Sequence, residues 1–139
     1  MTPSDADIVR ILQETRTIAL VGWSPNPARP SHGVARFLAA SGYRVIPVNP
    51  GQAGVEALGT TVRASLAEID EPVDMVDIFR RSEEVLPVVE QALRALPGLK
   101  TVWMQLGVTN PPAAALAEAR GVTVVQNRCP AIEIPRLGL

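Results

Sequence analysis

A nearly continuous apolar run that ends in glycine constrains this chain more than any other feature. Residues 17–21 are almost all apolar and are followed by Gly22, which predicts a strand buried on both faces. A long turn rich in Pro, Ser and Asn covers residues 23–30, and apolar residues recur at helical spacing over 34–38. The segment therefore predicts the opening of a βαβ unit, with glycine where the strand becomes a loop.

The same alternation of apolar runs and amphipathic stretches continues along the chain. Further strands are predicted over 43–50, 60–63, 72–79, 101–107 and 121–126, and helices over 6–14, 31–41, 82–96 and 111–120. A surface loop is expected over 51–59, one helical turn over 65–69, and a short tail over 131–139 lying across the domain. Strands that alternate with helices predict a parallel sheet with right-handed crossovers. The expected fold class is α/β, a doubly wound, mainly parallel sheet of five to six strands with helices on both faces.

Size, charge and cysteine usage narrow the class of protein. A chain of 139 residues predicts one domain over 1–139. A net charge of -1 gives no bulk attraction to nucleic acid or to an anionic membrane. Cys129 is the only cysteine, so no internal disulfide can form, as in a reducing compartment. Because no apolar stretch approaches the roughly 18 residues of a membrane span, we expect a cytoplasmic protein.

Polar and basic residues collect where the predicted strands end. The carboxyl ends of parallel strands share one edge of the sheet, so these side chains are expected together. Arginine forks bind phosphate oxygens, and a helix start presents N–H groups to an anion. The pattern predicts a pocket for a nucleotide-like ligand with several phosphates and an apolar extension. Its candidate residues are Gly22, Trp23, Ser24, Arg29, Ser31, His32, Gly33, Val34, Pro47, Val48, Asn49, Phe79, Arg80, Arg81, Gln105, Leu106, Gly107, Asn127, Arg128 and Cys129.

The glycine pattern differs from the fingerprint of NAD-binding domains. Gly22 and Gly33 are separated by ten residues without glycine, whereas the fingerprint places three glycines within six positions. Asn49 ends the second strand, where an acidic residue usually holds the ribose of NAD. Both features argue against NAD, although Asn49 followed by proline also fits a plain turn.

Several candidate residues also fit purely structural roles. Arg80 and Arg81 could form a solvated pair, His32 could cap its helix, and Cys129 could fill a small apolar space. A Cys–His pair is conceivable, but no acid is placed to orient His32. No metal-ligand spacing is present. The sequence therefore predicts a binding protein without catalytic residues and without a metal site.

Several motifs of the chain together resemble a known family. The segments 18–25, 29–34, 42–50, 73–80, 102–107 and 127–129 together resemble the small stand-alone CoA-binding proteins, which are similar to the CoA-binding domain of the succinyl-CoA synthetase α subunit. The resemblance covers nearly the whole chain in order. It implies a Rossmann-like fold with coenzyme A as cofactor.

The resemblance also implies roles for individual segments. The turn 22–24 and the helix start 31–34 would hold phosphates, Val48 and Asn49 would contact the adenosine, and Phe79, Arg80 and the turn 105–107 would line the course of the ligand. The synthetase subunit has a second domain with a phosphorylated histidine, and the resemblance does not extend to that domain. The resemblance therefore supports CoA binding and not ligase chemistry.

Three functions remain open from the sequence. The leading interpretation is non-catalytic binding of CoA or an acyl-CoA. A second is a subunit of a split acyl-CoA ligase or transferase whose catalytic residues lie on a partner. A third is a redox sensor in which Cys129 forms a mixed disulfide with the CoA thiol.

Overall fold

The structure, a computed structural model, describes residues 2–139. The strands are β1 Thr17–Val21, β2 Arg44–Val48, β3 Glu56–Ala57, β4 Thr60–Thr61, β5 Met75–Ile78, β6 Thr101–Met104 and β7 Thr123–Val125. The helices are α1 Asp5–Glu14, α2 Pro30–Ala40, α3 Val85–Ala95, α4 Pro111–Ala119 and α5 Pro130–Arg136. Short 3-10 turns occupy Pro50–Gln52, Leu66–Glu68 and Ser82–Glu84.

Five parallel strands form the main sheet in the order β2-β1-β5-β6-β7. The chain moves outward from β1 to β2 and then returns past β1 to β5. The strand order therefore reverses between β1 and β5, and in open parallel sheets this reversal leaves a crevice where ligands bind. The predicted fold class, a Rossmann-like α/β sheet with helices on both faces, is confirmed.

Two apolar layers cover the sheet. One layer packs α3 and α4 against sheet residues that include Val76 and Ile78. The other packs α1, α2 and α5 against residues that include Met75 and Trp103. Side chains of β5 alternate between the two layers, as expected for a strand buried on both sides. Within residues 2–139, no helix is both long and apolar enough to span a bilayer.

The segment after β2 differs from the prediction of a loop followed by an edge strand. β3 and β4 pair with each other as a small antiparallel hairpin, separate from the main sheet. Leu58 and Gly59 form its two-residue turn, both with positive φ, which matches the twist of tight hairpins. Within residues 2–139, the sheet continues beyond β2 through an isolated bridge between Val48 and Arg63.

The predicted tail is a helix that is bonded to the first helix. α5 packs beside α1 and α2, and the guanidinium of Arg136 lies 2.8 Å from Asp5 and 2.7 Å from the buried Glu133. These arginine contacts lower the pKa of the Glu133 carboxyl. The sequence reasoning missed α5 because Pro130 and Pro135 indicate turns, whereas Pro130 opens the helix.

Candidate functional site

The ends of β1 and β2 are bonded into one surface. Gly22 N–H and Trp23 N–H both donate to the Val48 carbonyl oxygen, at 2.9 and 3.3 Å. Asn49 Nδ2 donates to the Trp23 carbonyl oxygen at 2.7 Å, while Asn49 Oδ1 accepts from Gly51 N–H at 2.9 Å. Both ends of the Asn49 amide are therefore used to shape the two loops. Its predicted contact with adenosine stays a prediction.

Gly22 is required by the close approach of β1 to the end of β5. Phe79 N–H donates to the Val21 carbonyl oxygen at 2.8 Å, which brings the Phe79 backbone against Gly22. A Cβ on Gly22 would overlap the Phe79 carbonyl oxygen and would lie 3.0 Å from its carbonyl carbon. Gly22 also has a φ of 90°. Packing of the chain against itself thus explains this glycine without any ligand.

The ends of β5, β6 and β7 are joined in the same way. Gln105 N–H donates to the Ile78 carbonyl oxygen at 3.3 Å, and Gly107 N–H donates to Asn127 Oδ1 at 2.7 Å. Trp103 Nε1 donates to the Arg128 carbonyl oxygen at 2.8 Å. A chain of hydrogen bonds therefore runs across the carboxyl edge of all five strands and brings most of the predicted site segments together.

The start of α2 is attached to this edge through His32. Its Nδ1 lies 2.9 Å from the Ser24 carbonyl oxygen; because a carbonyl can only accept, Nδ1 carries the hydrogen. The imidazole also lies 6.0 Å from the Trp23 ring, centroid to centroid. Arg29, not His32, is the N-cap residue. His32 thus holds the loop 22–24 against the helix.

The first turn of α2 has a backbone donor without a capping side chain. The N-cap residue Arg29 makes no side-chain cap, and Pro30 has no N–H. His32 N–H donates to the Arg29 carbonyl oxygen at 3.1 Å, which leaves Ser31 N–H as the donor of this turn without a capping side chain. An uncapped helix start favours an anion.

The strand-end arginines differ in their partners. Arg80 lies 3.4 Å from Glu84, and Arg128 lies 2.6 Å from Glu133. Arg29 is exposed, and among residues 2–139 no acidic side chain pairs with it. Arg29 is therefore the strand-end arginine that is most available to an anion.

Three predicted residues lie apart from the edge. Gly33 lines a depression of about 560 Å³ on the outer side of α2, beside Arg36 and Phe37. Val34 packs against the apolar layer beneath α2. Pro47 lies within β2, and its carbonyl oxygen accepts from Arg63 N–H at 2.9 Å. The ligand contacts predicted for these three residues stay predictions.

Comparison with known proteins decides the family. The family described as CoA binding domain matches residues 16–135. The chain belongs to this CoA-binding domain family. It is 42% identical over 127 residues to the uncharacterized protein YneT of Bacillus subtilis, covering 91% of both chains. The predicted family resemblance is confirmed.

Solved structures agree with this membership of the CoA-binding domain family. A Thermus thermophilus protein, cell-free ID.343, superposes with a TM-score of 0.91 at 36% identity, covering 97% of this chain and 99% of that one. The dinucleotide-forming acetyl-coenzyme A synthetase 1 of Candidatus Korarchaeum cryptofilum has a TM-score of 0.68 at 24% identity, covering 85% of this chain and 26% of that one. The second likeness is one of fold alone.

Two buried polar groups of this CoA-binding family member lack partners, and sequence reasoning named one of them, Gln105, but missed the other, Asp77. Both carboxyl oxygens of Asp77 and the Oε1 of Gln105 are enclosed and have no hydrogen-bond partner. Burial raises the pKa of Asp77 well above its ordinary value. One signal was available: Asp77 interrupts the apolar run from Met75 to Ile78.

Cys129 is buried, whereas reactive thiols are partly exposed to solvent. The residue is 5% exposed and directly precedes α5. We expect the native thiol to react with a soluble disulfide reagent at least about tenfold more slowly than in the urea-unfolded chain, because reaction requires local opening. Because Cys129 is the only cysteine in the chain, the absorbance change that follows the reaction with the reagent reports this thiol alone. Equal rates in both states would contradict the burial.

Within the described part of the chain, no three His, Cys, Asp or Glu side chains are grouped so that they could hold a metal ion.

Proposed function

We propose that this protein binds coenzyme A or an acyl-CoA, without catalysing a reaction itself, at the carboxyl edge of its parallel sheet. The match of residues 16–135 to the CoA-binding domain family carries the proposal. The geometry supports this location, because the strand order reverses between β1 and β5 and the loops there are bonded into one surface.

The polar groups at this edge fit the chemistry of coenzyme A. That molecule joins phosphate groups to an amide-containing arm that ends in a thiol. Arg29 offers exposed positive charge at the start of α2, which suits phosphate. The uncapped Ser31 N–H lies beside it, on a residue that is 4% exposed. The exposed Leu106 offers apolar surface beside the loop of Gln105 for the arm.

The proposal is tested by calorimetry with CoA, NAD and NADP. We expect CoA to bind selectively and Arg29→Ala to weaken it about tenfold, the effect of losing one charge-assisted hydrogen bond. Arg36→Ala is the matched control, since it removes the same charge from the same helix but on its outer side. Selective binding of NAD without CoA would exclude the proposal, and equal losses in both variants would exclude the assigned role of Arg29.

The other two functions remain predictions. Nothing in residues 2–139 indicates contact with a partner subunit that would supply catalysis. The likeness to the Korarchaeum synthetase is one of fold and does not extend to activity. Disulfide formation between Cys129 and the CoA thiol would require the helix start at Pro130 to open, since the cysteine is 5% exposed. Non-catalytic binding is therefore the function that we propose.

A further inference from the structure

The two buried polar groups without partners lie on the same face of the sheet. In the β5–β6 register, Asp77 is opposite Trp103, and Gln105 follows Trp103 by two residues. Because side chains two apart in a strand share a face, Asp77 and Gln105 are diagonal neighbours across two bonded strands. Gln105 N–H bonds the Ile78 carbonyl oxygen, so the extended pairing continues to this residue.

Each of the two groups supplies what the other lacks, provided that Asp77 is protonated. A neutral carboxyl has one O–H donor, and Gln105 Oε1 is an acceptor. Both Asp77 carboxyl oxygens and Gln105 Oε1 are enclosed, and none of these three atoms has a hydrogen-bond partner. A buried polar atom left unbonded is costly, so pairing the two removes two such costs together.

We propose that protonated Asp77 donates a hydrogen bond to Oε1 of Gln105 and thereby holds the Gln105 amide with its N–H₂ group toward the ligand edge. Asp77 is then a positioning residue for a ligand-contacting glutamine, an inference that rests on the proposed CoA site. Gln105 Nε2 is not among the enclosed unbonded atoms. An outward N–H₂ group suits phosphate and amide carbonyl oxygens of the ligand.

Loss of the proton would reverse this orientation. An ionised Asp77 can only accept, so it would bond Nε2 and turn the Gln105 carbonyl oxygen outward. The edge would then present an acceptor to a ligand that is rich in acceptors. Binding of such a ligand is therefore coupled to the proton on Asp77.

Other ionisable groups on this face are held by partners of their own. Glu133 pairs with Arg128 and Arg136, His32 bonds the Ser24 carbonyl, and the hydroxyl of Tyr43 bonds the Leu12 carbonyl. The pKa of Asp77 is raised by burial alone. Asp5 pairs with Arg136, and Asp7 pairs with Arg10. The remaining ionisable groups on or beside the covering helices are Glu14, Arg16, Arg29, Arg36 and Cys129.

The test compares two substitutions of Asp77 by calorimetry with CoA near pH 6.5. Asp77→Asn keeps a donor for Oε1, so we expect affinity within about twofold of the wild type. Asp77→Val removes the donor, and we expect a loss of about five- to tenfold. Gln105→Met should cause a similar loss, and adding Asp77→Val to it should cost nothing further. Wild-type affinity in Asp77→Val, or additive losses in the double variant, would overturn the inference.

A second measurement separates this inference from the proposed function. Without ligand, the side-chain amide resonances of Gln105 should shift in Asp77→Val and stay near their wild-type positions in Asp77→Asn. If the wild type bound no CoA but these shifts occurred, the pair would stand and the proposed function would fail. If CoA bound but the amide resonances were insensitive to Asp77→Val, the pairing would be refuted and the binding site would remain.

Discussion

Gly22→Ala is expected to lower the free energy of unfolding by about 3 kcal/mol or more. The substitution adds a Cβ that overlaps the Phe79 carbonyl oxygen, and it places alanine at a φ of 90°. A strained φ costs about 1–3 kcal/mol, and forced backbone movement adds about 1–3 kcal/mol. The added Cβ is fixed to the backbone of residue 22, and the atom that it meets is a backbone oxygen of Phe79. No change of side-chain rotamer can therefore relieve the clash.

Urea unfolding followed by circular dichroism measures this effect. Gly33→Ala is the matched control, because a Cβ at Gly33 meets nothing within 4 Å and alanine favours a helix interior by about 1 kcal/mol. The control should therefore be neutral or slightly more stable than the wild type. If Gly22→Ala were as stable as Gly33→Ala, the close approach of β1 to the end of β5 would be wrong.

Asp77→Asn is expected to abolish a steep loss of stability with rising pH. The folded state keeps Asp77 protonated, because burial raises its pKa, whereas in the unfolded chain it ionises near about 3.9. Above that pH the folded state binds one more proton than the unfolded state. The free energy of unfolding then falls by about 1.4 kcal/mol for each pH unit until the folded-state pKa is reached.

The measurement is the difference in unfolding free energy between wild type and Asp77→Asn across pH 5 to 9. Carboxyls with lowered pKa, such as Glu133 and Glu71, contribute stability that is lost as pH falls, and they contribute equally to both proteins. Subtraction therefore isolates Asp77. Parallel stability profiles would show that Asp77 titrates normally and that its burial is incorrect.

The parts of the fold that depend on periodic apolar residues were predictable, and the parts that depend on single backbone angles were not. β1, β2 and α3 follow directly from the spacing of their apolar residues. The hairpin β3–β4 depends on Leu58 adopting a positive φ, which its residue type disfavours. No pattern in the sequence indicates that conformation.

The candidate site shows the same division. The gathering of strand ends at one edge follows from parallel topology alone, so segments such as 105–107 and 127–129 could be placed together in advance. Which arginine is engaged by a neighbouring acid could not be predicted. Glu133 reaches Arg128 only because α5 turns back over the sheet, and that helix was not expected.

The ionic contact between α1 and α5 affects how this fold can be combined with other proteins. Arg136 lies 2.8 Å from Asp5, so the first and last helices meet at one side of the molecule. A compact unit whose entry and exit are adjacent can be spliced into a host polypeptide at a single surface position, or have its ends joined and be reopened elsewhere. Neither rearrangement requires a change in the pairing of the five strands.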